Sequence, residues 1–114
     1  MRKVIFTVFL LSLALTAYSG QLVTGAKIVE VANNLNGLGN DFTIRLEGGT
    51  WTTQSPTCAQ DSWVTFPVSA APTPEVHKQA FSIALTAFST GDKVRVHNFA
   101  EDSCHTADFI SITK

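Results

Sequence analysis

One stretch of this sequence carries both a start and a stop signal for a helix, and it governs how the rest must be read. Thr73 suits the capping position, Pro74 the first helical position, and Glu75 the positive end of the helix dipole. Ser89-Thr90-Gly91 ends the run, with Gly91 as the left-handed cap. Between them Val76, Ala80, Ile83, Ala84, Ala87 and Phe88 recur at helical spacing, and Phe81 and Leu85 widen that apolar stripe. His77, Lys78, Ser82 and Ser89 mark the wetter side, and the many alanines let such a helix sit close to a sheet.

Everything around this helix reads with a period of two. Residues 25–33, rich in Ile28, Val29 and Val31, predict a first strand, and a cluster of Asn and Gly follows it through Asp41. In residues 41–47, Phe42, Ile44 and Leu46 face one way and Thr43, Arg45 and Glu47 the other, so the two runs predict a hairpin with a long connection. Residues 50–62 are polar and read mostly as loop, with room for a short strand around Trp51. Residues 63–68 are β-prone, and Pro67 within them predicts an edge strand or the end of pairing. After the helix, residues 94–99 predict another strand, in which Val94 and Val96 point to one face and Arg95 and His97 to the other. A polar loop leads to a last strand, residues 108–113, with Ile110 and Ile112 inward. This order predicts a small α+β domain, mostly β: an OB-like antiparallel barrel or curled sheet with one helix.

The N-terminus predicts export. Arg2 and Lys3 precede an apolar run, and small residues follow at Ala17 and Ser19, so residues 1–19 read as a signal peptide and residues 20–114 as a single domain. The apolar run is too short for a stable membrane span, and no Cys stands at the cut to carry a lipid, so no membrane anchor is expected afterwards. Losing Arg2 and Lys3 leaves six basic against nine acidic residues, a net charge of −3. That sign argues against nucleic acid as a partner, which calls for a basic stripe. The expected location is secreted or periplasmic. In such an oxidising compartment Cys58 and Cys104, the only cysteines, are expected to pair. The loop closed would be worth about 4 kcal/mol in the chain-entropy model.

No constellation predicts catalysis or a metal. His97, Glu101, Asp102, Cys104 and His105 fit no familiar ligand spacing, and pairing occupies Cys104. Ser103, His105 and Asp108 sit too close in one loop to converge as a hydrolytic triad, and no Gly-x-Ser-x-Gly elbow is present. Gly37-Leu38-Gly39 is followed by no helix and reads as a hairpin tip, not a phosphate loop. No cofactor and no enzymatic activity are expected. Trp51, Trp63 and Phe66 are either core residues or, where exposed, platforms for a sugar face or a protein contact.

The passage Ala80-Phe81-Ser82-Ile83-Ala84-Leu85-Thr86-Ala87-Phe88-Ser89-Thr90-Gly91-Asp92-Lys93-Val94-Arg95-Val96-His97 resembles the helix-to-strand passage of subtilase cytotoxin B subunits. Those subunits have a helix ending in Ser-Thr-Gly, a polar pair and a Val-Arg-Ile-His-like strand. The early strand at residues 24–31, Cys58 before the helix and Cys104 after the next strand fall in similar order. The resemblance implies an OB-like barrel crossed by a helix, assembly into ring-shaped homopentamers, and binding of sialylated glycans on host cells. It places Thr24 where those subunits use a Ser to contact the sugar; beside it stand Leu22 and Val23, where they carry tyrosines. The resulting expectation is a non-enzymatic, exported protein that binds cell-surface glycans, with Thr24 as hydroxyl contact and Trp51 or Trp63 as stacking platform. The alternative is an envelope or periplasmic protein–protein interaction module without a sugar site, whose hallmark is an exposed apolar patch.

Overall fold

A 13-residue strand, β1 (Gln21–Asn33), is shared by two ladders and so organises the whole sheet. The computed structural model describes residues 20–33, 41–53 and 56–114. The expected signal peptide and the Gly37-Leu38-Gly39 hairpin tip lie outside the described residues. The second half of β1 pairs antiparallel with β2 (Phe42–Glu47), from Lys27 opposite Glu47 to Asn33 opposite Phe42. The first half pairs with β5 (Lys93–His97), which in turn pairs with β6 (Phe109–Thr113). This second ladder is why β1 starts at Gln21, four residues before its alternation becomes visible.

Opposite the same first half of β1 lies β3 (Thr50–Trp51), which resumes the line of β2 after Gly48 and Gly49. These two glycines and Gly25 all have positive φ, between 73° and 83°. A Cβ on Gly49 would stand 2.8 Å from the Ala26 Cβ and 2.9 Å from the Thr24 carbonyl oxygen, so only glycine fits this corner. Register shifts in β1 at Gln21/Val23, Thr24/Ala26 and Ile28/Glu30 add to the bend. The sheet therefore curls.

Next along the chain comes a short helix, α1 (Pro56–Asp61), in the stretch that its polar composition marks as loop. It carries Cys58 to Cys104, with Cα atoms 5.9 Å apart in the disulfide. Strand β4 (Trp63–Phe66) pairs with β2 and stops at Pro67; a single 3₁₀ turn, Val68–Ala70, follows. The strand order is β4-β2-β1-β5-β6, so the strand after the long connection returns beside the first, as in a Greek key. The two ends of this order are not joined by a ladder, but the loop that precedes β6 bonds to β4. The Thr65 N–H donates to the Cys104 carbonyl at 2.8 Å, and the Ala107 N–H donates to the Thr65 carbonyl at 3.0 Å. The result is an OB-like curled sheet with one main helix.

That helix, α2 (Pro74–Thr90), has the caps its sequence announces: Thr73 accepts from the Val76 N–H, and Gly91 is left-handed with its N–H on the Ala87 carbonyl. Its faces differ from the sequence expectation. Ala80, Ala84 and Ala87 are buried against the sheet, and His77, expected on the wet side, is buried with Nε2 2.8 Å from the Phe66 carbonyl. Phe81, Leu85 and Phe88, expected inward, are 38%, 41% and 46% exposed. The close approach that small residues permit leaves no space for large ones on the same line, so these turn outward along one flank. The core beneath holds Leu22, Val23, Ile44, Val64, Phe66, Val94 and Val96, all nearly or fully buried.

Candidate functional site

Residues opposite one another in an antiparallel ladder share a face, so register alone assembles a row across the sheet. Val23 stands between Trp51 and Val96, and Val96 pairs with Ile110; this row is the inner one. Thr24 stands between Thr50 and Arg95, and Arg95 pairs with Ser111. This neighbouring row is polar throughout and lies on the outer face. One step along β5, His97 pairs with Gln21 on one side and Phe109 on the other.

Three aromatic rings close the end of this face. His97 and Phe99 stack with centroids 4.9 Å apart, and Phe109 meets them edge-on at 5.3 and 5.7 Å. Phe99 is 60% exposed, the largest value among the big apolar residues of the described chain. It lies over Gly20, where a Cβ would come within 2.8 Å of its ring. The Arg95 guanidinium sits 5.6 Å from the Phe109 ring centre, a cation–π contact worth about 0.5–1 kcal/mol. Asp108 is spent on the backbone, accepting from the Phe99 N–H at 3.1 Å.

Arg95 Nε, both ring nitrogens of His97 and Ser111 Oγ are shielded from solvent and have no hydrogen-bond partner among the described residues. Such groups cost folding free energy, roughly 1–3 kcal/mol each, unless something satisfies them. Burial, and next the positive charge of Arg95, hold the His97 pKa below its ordinary value, with Asp108 pulling the other way. The imidazole is therefore neutral at pH 7, leaving one donor and one acceptor beside a fixed cation. A consequence follows for stability. The unfolded chain protonates His97 near 6.5 and the folded one only at lower pH, so stability falls as pH drops below 6.5. Urea unfolding at several pH values is expected to show that acid-side loss reduced in His97→Gln; an unchanged slope would refute it.

The sequence-predicted contacts do not converge. Thr24 belongs to this face, whereas Trp51 shares the inner row with Val23 and packs on the core. Trp63 lies elsewhere on β4, paired with Arg45, whose guanidinium is 5.8 Å from the indole and whose Nε is 3.2 Å from Glu30. Leu22 and Val23 are fully buried, so neither can meet a ligand beside Thr24. The loop after β5 is held internally. Glu101 accepts from Thr106, Asp102 from Thr53, and Ser103 Oγ from the His105 N–H. Among the described residues no three of His, Cys, Asp and Glu gather as a metal site.

A second surface lies on the helix side. A groove of about 580 Å³ runs between the exposed flank of α2 and the end of β1, lined by Val31, Phe42, Val68, Phe81, Leu85 and Phe88. Lys78 and Asp41 also line it. Phe42 stacks on Phe66 at 4.7 Å and meets Phe81 edge-on at 5.0 Å, so the groove floor is continuous with the core.

No curated protein and no solved structure matches the chain significantly. A family model does: that of a family of unknown function, DUF5992, aligns with residues 3–114. With nearly its whole length so matched, the chain belongs to the DUF5992 family.

Proposed function

We propose that this protein is an exported, non-enzymatic binding protein whose outer polar face takes cell-surface glycans, acidic ones such as sialylated sugars first among them. The observation that carries the reading is the row Thr50–Thr24–Arg95–Ser111, with unpartnered polar groups and the exposed Phe99 ring at its end. A sugar offers both things this face can use: a hydroxyl partner for Thr24, and an apolar ring face for Phe99. Arg95 is the cation of the row and suits a carboxylate. The resemblance to toxin B subunits supports the reading, because its Val94-Arg95-Val96-His97 end supplies two residues of the face.

The test is a glycan array probed with the folded protein, followed by affinities for Phe99→Ala and Arg95→Ala. Each substitution is expected to weaken binding about ten-fold, or about 1.4 kcal/mol, with the melting temperature nearly unchanged. A folded sample that retains no glycan would overturn it. The exposed stripe Phe81, Leu85 and Phe88 favours a second reading, a protein–protein interaction module. Under that reading Phe99→Ala is silent and substitutions in the stripe abolish function.

A further inference from the structure

We infer that the α2 flank and its groove form a two-fold interface with a second copy of this chain, the two helices packing antiparallel about Leu85. The inference is independent of glycan binding, because it rests on the other side of the molecule.

The stripe has the spacing of a helix seam. Phe81, Leu85 and Phe88 follow one another at four and three residues, the alternation that keeps apolar side chains toward a partner helix. The inner side of α2 already has its partner in the sheet, through Ala80, Ala84 and Ala87. An ordinary amphipathic helix would bury its large residues and expose its small ones. Here three large apolar side chains, 38–46% exposed, stand in one line on the outside.

The patch also carries both halves of a self-complementary contact. A two-fold interface uses the same surface twice, so it needs projections and a recess side by side. Leu85 and Phe88 project from the helix, and the groove walled by Val31, Phe42 and Val68 opens next to them.

Charge completes the match. Centring two antiparallel helices on Leu85 brings each residue opposite one equally far along the other helix. Lys78, seven residues before Leu85 and exposed, then lies by the C-terminal end of the second copy's helix, where Asp92 follows the left-handed Gly91 cap. Asp92 is half-buried just past the Gly91 cap, where Lys114 reaches it at 3.6 Å. Helix ends of opposite partial charge also meet in this arrangement. A helix of 17 residues is about 25 Å long, so a contact along one flank falls short of the roughly 800 Å² per partner of a standard interface. The pair therefore belongs to the weak, reversible class.

Sedimentation equilibrium of the wild-type protein from about 5 µM to about 500 µM is expected to show mass rising from one chain toward two. Leu85→Glu is expected to remain a single chain across that range, with its melting temperature kept, since Leu85 lies outside the core. Leu85→Cys, oxidised after folding, is expected to cross-link to its own copy on a non-reducing gel, because the axis passes beside it. The inference is overturned by a wild-type monomer throughout, by a dimer that Leu85→Glu leaves intact, or by a five-membered ring whose Leu85→Cys form does not cross-link. It also fails if an acyl chain or detergent binds the groove of a wild-type protein that stays monomeric.

Discussion

Unfolding free energy is expected to fall by about 4 kcal/mol when Cys58 and Cys104 are both replaced by serine. The bridge spans 46 residues of chain, and that length alone sets the entropy it withholds from the unfolded state. For a domain of this size, with total stability of order 5–10 kcal/mol, such a loss is a large share. The structure adds a local expectation. Cys104 lies in the loop that bonds to β4: its carbonyl accepts the Thr65 N–H, and the Ala107 N–H donates to the Thr65 carbonyl. Amide exchange at Thr65 and Ala107 should therefore quicken more than exchange along the β1–β2 ladder. Urea titration measures the first effect and hydrogen exchange the second. A loss under about 1 kcal/mol would mean that the loop is already held in the reduced chain.

Asn98→Ala should be strongly destabilising, at about 3 kcal/mol. Asn98 is fully buried, yet every part of its side chain is used. Nδ2 donates to the Ser103 carbonyl and to Thr106 Oγ1, each at 2.8 Å, and Oδ1 accepts from the Ala100 and Glu101 N–H groups at 3.0 and 3.1 Å. These four contacts shape the whole turn that carries the chain from β5 to Cys104. Removing them strands two backbone donors and one backbone acceptor. Asn98→Asp is the informative control. It keeps an acceptor for Ala100 and Glu101 but turns the second oxygen against the Ser103 carbonyl, so it should recover only part of the loss. Thermal and urea unfolding read both variants; equal stability of Asn98→Ala and wild type would refute the role.

How much of this was legible in the residues depends on whether the signal was local. The caps of α2, the alternation in β2, and the split of Val94 and Val96 from Arg95 and His97 are written within a few positions each, and all appear in the fold. The disulfide needed only a compartment and a count of two. The outer row was half legible: β5 shows that Arg95 faces away from the core, but only register brings Thr24 beside it and Ser111 beyond it. Register between positions 71 residues apart is a property of the assembled sheet and leaves no trace in either strand.

Phe99 and Asn98 illustrate the other limit. Both sit at the end of an apolar strand pattern, which puts Phe99 in the strand and says nothing of Asn98. The strand stops at His97 because Asn98 turns its side chain into the loop, and that turn pushes the Phe99 ring out over Gly20. The faces of α2 fail for a packing reason. Periodicity finds the apolar residues but weighs Ala80 and Phe81 alike, whereas the sheet admits only the smaller.

Gly20 has a bearing on timing as well as on shape. Its carbonyl accepts the Asn98 N–H at 2.7 Å, its φ is 85°, and the Phe99 ring leaves no room at its Cα for a side chain. A peptidase must draw the residues on both sides of the bond it cuts into an extended, open stretch of chain. In the folded domain Gly20 cannot be lent to that purpose without undoing the start of β1. A cut between Ser19 and Gly20, the expected end of a signal peptide, would therefore need a chain whose first strand has not yet paired.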